Sequence, residues 1–185
     1  MKILRRAFAF GLVATLAACA SQTESEKDVT RSKLDADARA ALNELTTTNP
    51  VARNLSQNAD GILVFPSIVS GSFLVGAETG NGVMFFNGRP QEYYNTSGIS
   101  FGFQAGAKAY SQVIMFMTAD ALTRFRSSEG FEVGVDGSIT VIDADMAKSL
   151  DTNNLQDDIV AFIFSSEGLA GGVALDGTKY TRKDL

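Results

Sequence analysis

The chain has 185 residues, 45% of them hydrophobic and 20% charged, and a formal net charge of −5. It holds no histidine and a single cysteine. That composition excludes an intrachain disulfide, removes the usual general base at neutral pH, and leaves little for a zinc site. An acidic chain without a basic stripe also offers no footprint for nucleic acid.

The N-terminus reads as a targeting segment. Lys2, Arg5 and Arg6 precede an apolar run from Ala7 to Leu16. A membrane-spanning helix needs about 20 apolar residues, so the run is a signal peptide rather than a span. It closes with Leu16-Ala17-Ala18-Cys19, which resembles a bacterial lipobox. The resemblance implies removal of residues 1–18 and acylation of Cys19, an anchor worth about 0.8 kcal/mol per buried methylene. Ala20, rather than Asp, after the cysteine implies by the same analogy an outer membrane, facing the periplasm. The chain from Cys19 onward counts 13 basic against 21 acidic residues, a net −8. Attraction to an anionic membrane surface is therefore weak, and the acyl chains must do the holding. Residues 19–28 are polar and read as a solvated tether.

A domain is expected over 29–185. Leu34, Ala38, Ala41, Leu42 and Leu45 recur at helical spacing, and the helix stops before Pro50. Residues 51–58 form a second, shorter helix. After Gly61 the pattern becomes that of short strands: 62–65, closed by Pro66; then alternation from Val69 to Ala77. "GNG" at 80–82 and "NGRP" at 87–90 read as turns around a strand at 83–86. Another apolar run spans 113–117, and a short helix is expected near 119–127. Alternation resumes through Phe131, Val133 and Val135, and the last strands fall at 159–164 and 169–175. The fold class is α+β: an antiparallel sheet curled into a sandwich or barrel, with one or two N-terminal helices.

"GISFGFQAG" at 98–106 spells G-x-S-x-G at its start. A nucleophile elbow needs a histidine later in the chain and a turn at the serine. The first is missing, and alternation runs straight through Ser100. A Ser100–Lys108 pair would be separated by about 26 Å of strand. Gly98, Ser100, Gly102, Gln104 and Gly106 share one strand face instead, and such a face permits curvature or close approach of another layer. No catalytic residue is assigned.

Three glycine-spaced blocks then resemble the signature stretches of the SYLF domain: "GILVFPSIVSGSFLVGAETGNGVMFF", "GISFGFQAGA" and "IFSSEGLAGGVALDGT". The likeness spans about residues 30–182. It makes Gly98, Gly102, Gln104, Gly106, Gly168 and Gly171 family-signature structural positions. It also implies a lipid-binding domain without enzymatic activity, in a family that includes binders of phosphoinositides or actin and bacterial envelope lipoproteins. No position here licenses actin binding. The N-terminal helix mixes Arg31, Lys33 and Arg39 with Asp28, Asp35, Asp37 and Glu44, so it attracts anionic headgroups weakly.

Lys108, Arg124 and Arg126 are the candidate headgroup contacts. The acidic stretch 143–158 starts like a calcium loop but lacks its third ligand, glycine and final glutamate, so it reads as a solvated loop, with no metal or other cofactor assigned. The expected function is non-catalytic binding of a lipid or membrane surface in the bacterial envelope. Its partners are the covalent acyl anchor and a bound phospholipid. The alternative is a structural protein that contacts an envelope protein or peptidoglycan.

Overall fold

A computed structural model describes residues 24–71, 76–100, 108–150, 156–165, 167–170 and 174–185. Cys19, Gly102, Gln104, Gly106 and Gly171, and most of the 98–106 stretch, lie outside the described residues.

Helix α1 spans Glu24–Thr48. Ala38, Ala41 and Leu45 are its buried residues, with Leu34 and Leu42 partly covered, so the expected apolar stripe is the packed face. The helix starts at Glu24, inside the stretch expected as tether. Residues 24–28 contain no glycine or proline, and glutamates favour a helix's first turn. Asn49 ends α1 and caps α2 (Pro50–Asn58), accepting a hydrogen bond from the Ala52 amide at 2.9 Å, with Pro50 in the first turn.

The strands are β1 (Gly61–Gly71), β2 (Gly76–Phe86), β3 (Arg89–Ser100), β4 (Lys108–Phe116), β5 (Phe131–Glu132), β6 (Thr140–Val141), β7 (Ile159–Ser165), β8 (Gly168–Leu169) and β9 (Lys179–Lys183). Helix α3 (Ala119–Ser127) follows β4, and α4 (Ala144–Ser149) follows β6. All the described strands join one sheet, ordered β5-β9-β3-β2-β1-β4-β7-β6, with β8 on β7. Every strand pairing is antiparallel except β6 with β7. The sheet curls into a half-barrel.

Two cores result. One face carries Val64, Val83, Phe85, Val113, Met115 and Phe162 under α1 and α2. The opposite face carries Leu63, Phe65, Ile68, Tyr94, Ile114 and Phe116 under α3, which contributes Ala121 and Phe125.

Several expected boundaries move. Pro66 does not close a strand: β1 runs through it, and its register shifts at Val64/Ser67 against β2 and at Phe65/Ile68 against β4. A bulge is where a strand tolerates proline. "GNG" is not a turn either, since residues 80–82 lie inside β2 and pair with 94–96 of β3. A side chain at Gly80 would meet the Ser67 carbonyl at 2.7 Å, so the glycines there admit close neighbours. The real turn is at 87–88, where Asn87 and Gly88 have φ of 50° and 71°, as a two-residue hairpin requires.

The alternation at 131–135 ends early. Gly134 takes φ 88° and Val135 is exposed. Within 143–158, Asp143 caps α4 by accepting from the Asp145 and Met146 amides, so part of that acidic stretch is helix. The strand expected at 169–175 shortens to β8, and the last strand lies at β9.

Candidate functional site

One end of the sheet, around the β2–β3 turn, collects arginines from four elements. Arg39 of α1 donates through Nη1 to the Gly88 carbonyl at 3.1 Å and lies 5.4 Å from the centre of the Phe85 ring. Arg89 opens β3 opposite Phe86 and is exposed. Arg126, in the last turn of α3, lies 4.9 Å from the centre of the Phe86 ring, on the other side of the sheet. Arg182 of β9 pairs in register with Tyr94.

Arg126 and Arg182 converge on Glu92, whose side chain is 4% exposed. Arg126 Nε donates to both carboxylate oxygens at 3.2 Å and Nη2 donates to Oε1. The Tyr94 hydroxyl donates to Oε2 at 2.9 Å, and Arg182 Nη2 lies 3.2 Å from Oε1. Burial raises the Glu92 pKa, but hydrogen bonds from Arg126 and Tyr94 and the two positive charges outweigh it. The carboxyl therefore titrates below the ordinary glutamate value. Burial, then the bond to Glu92, pushes the Tyr94 phenol well above its usual range, so it stays a donor.

Beside Arg39, a groove of about 440 Å³ lies between α1, α2 and the sheet. Leu42, Ile62 and Phe85 give it an apolar side, and Asn43, Thr46 and Ser56 a polar one. An apolar cleft with a few polar groups and one cation at its mouth suits an amphiphile.

The three cations expected to share a headgroup are not brought together. Arg124 pairs with Asp158 at 3.1 Å and lines a separate cleft with Asp136 and Asp157, an acidic setting that repels an anion. Arg126 is turned to Glu92. Lys108 begins β4, whereas α3 follows the far end of that strand, about 26 Å away at strand spacing.

Gly98 stands in β3 opposite Glu78, and a side chain there would meet Thr178 Oγ1 at 3.1 Å. Thr178 leads into β9 beside β3, where Ser97 pairs with Lys179, so this close neighbour belongs to the same sheet and not to another layer. Gly168 has φ 111°, a conformation only glycine holds without strain.

Arg89 and Arg182, which complete the arginine end, were not singled out in the sequence. Arg182 follows Tyr180 at strand spacing, a signal that appears only once β9 is known to be a strand. Among the described residues, no group of three or more His, Cys, Asp or Glu side chains is placed to hold a metal ion.

Residues 97–184 match the family model Ysc84, described as Las17-binding protein actin regulator. This is the SYLF domain that the glycine blocks resemble; the first block, at 61–86, precedes the matched stretch. No curated relative matches the chain.

Proposed function

We propose, from the match of residues 97–184 to the Ysc84 (SYLF) family model, that this protein is a non-catalytic lipid-binding lipoprotein of the bacterial envelope. Cys19 carries the acyl anchor, and the domain faces the periplasm from the outer membrane. The observation that supports lipid binding most directly is the 440 Å³ groove, apolar at Leu42, Ile62 and Phe85 and cationic at Arg39.

Native mass spectrometry of the full chain, released from detergent, tests the reading. A stoichiometric co-purifying lipid is the expected mass, lost in Ile62→Arg. A lipid-free mass under gentle release overturns lipid holding and favours the alternative, a protein or peptidoglycan partner. The anchor has its own test: Cys19→Ser moves the protein from the membrane to the soluble fraction. Unchanged partition overturns acylation at Cys19.

A further inference from the structure

Glu92 receives more positive charge than it needs. Arg126 presents a two-nitrogen fork to it and Tyr94 supplies a further donor, yet Arg182 also stands 3.2 Å from Oε1. Two guanidiniums against one carboxylate leave a surplus of one positive charge. The carboxylate is sealed, while the Arg126 and Arg182 side chains are 44% and 57% exposed. The surplus therefore faces water, from guanidiniums whose positions are fixed by a buried group. The Phe86 ring holds Arg126 from another direction. In a chain with net charge −5, this is a local reversal of sign.

We infer that Arg126 and Arg182 form a binding site for a phosphate-bearing anion, with Glu92 as the residue that positions both. A phosphodiester carries one negative charge, which matches the surplus. Its two free oxygens each accept from one guanidinium, and planar guanidinium donors suit phosphate oxygens. Preorganisation by Glu92 lowers the cost of holding two long side chains in one geometry. The phosphate can belong to a lipid headgroup or be free. As a headgroup site the inference rests on the lipid-binding reading above; as an anion site it does not.

The test is calorimetric titration of the full chain in a neutral detergent with three probes. They are inorganic phosphate, dihexanoyl-phosphatidylglycerol, and dihexanoylglycerol, which lacks the phosphate. The wild type should bind the phosphatidylglycerol, and Arg182→Gln should weaken it about 10- to 100-fold, the loss of one charge-assisted hydrogen bond. Lys148→Gln, an exposed cation on α4, should change nothing. Arg182→Lys keeps the charge without the fork and should fall between the two, which guards against a Gln variant that fails to fold.

Phosphatidylglycerol bound far more tightly than phosphate identifies a headgroup; equal affinities identify free phosphate. Wild-type affinity retained in Arg182→Gln overturns the site, as does failure of the wild type to bind either anion. Uptake of dihexanoylglycerol in those cases leaves the lipid-binding reading standing. Failure of both lipids overturns that reading, and inorganic phosphate alone then decides the anion site.

Discussion

The ring of Phe65 on β1 lies across Gly82 on β2. A Cβ added to Gly82 would come within 2.6 Å of Phe65 Cδ1 and Cε1. Phe65 is fully buried at the strand's bulge, and its ring is 5.6 Å from that of Tyr180, so it has little room to withdraw. The glycine is thus a packing requirement in mid-strand.

Gly82→Ala should therefore destabilise the domain by about 1–3 kcal/mol, the usual range for overpacking a core. Thermal unfolding followed by circular dichroism should show a Tm lower by several degrees. An unchanged Tm would mean that Phe65 can move aside.

Phe125 of α3 lies at the centre of the second core. Its ring centroid is 4.8 Å from Phe116, 5.1 Å from Phe131, 5.2 Å from Tyr94 and 6.1 Å from Tyr180. Those rings come from β3, β4, β5 and β9, so one side chain ties the helix to four strands. Phe125→Ala should cost about 3–5 kcal/mol, by transfer and cavity terms together. Urea unfolding measures it; a loss below about 1 kcal/mol would show that α3 packs independently of the sheet.

Glu92 gives stability a pH dependence of known sign. Its pKa is depressed in the folded state relative to the ordinary value of 4.5, so the unfolded chain binds its proton first. The contribution is fully present above that ordinary value and is lost as pH falls through the depressed one. Glu92→Gln should flatten the fall in stability as pH drops below the ordinary carboxylate value, and lower stability at pH 7. Parallel pH–Tm curves for the two proteins would exclude Glu92 as a source of acid sensitivity.

What could be read from the sequence, and what could not, follows from which signals are local. The α1 stripe from Leu34 to Leu45 and α3 at 119–127 depend on periodicity alone, and both are found. The NGRP turn is local chemistry and also stands. Gly80 and Gly82 mislead because glycine serves turns and close packing equally, and only Phe65 and Ser67, brought over them by β1, decide between the two. Pro66 misleads for a related reason: its bulge is defined by registers with β2 and β4, not by its neighbours. The arginine end was hidden more deeply. Arg126 and Arg182 come from α3 and β9, and only the fold brings both to Glu92. Local charge near Lys108 and Arg124 pointed elsewhere, to cations that the fold separates.

Gln112 and Tyr180 form a polar pair inside the α3-side core. Gln112 is 1% exposed and donates through Nε2 to the Tyr180 hydroxyl at 2.9 Å. Its Oε1 is buried with no hydrogen-bond partner among the described residues. The amide thus gains one bond and forfeits another, and a buried unsatisfied acceptor costs about 1–3 kcal/mol. Tyr180→Phe removes the acceptor of Nε2 and strands the amide further, so it should destabilise by about 1–2 kcal/mol. Gln112→Leu alone removes the orphan oxygen but leaves the Tyr180 hydroxyl without its donor, so the two effects oppose. The double variant removes every polar atom of the pair while keeping most of its volume. Its stability should equal or exceed that of Tyr180→Phe, a non-additivity that a double-mutant cycle in urea reads directly. Additive losses would mean that the two side chains do not couple and that the bond between them contributes nothing of its own.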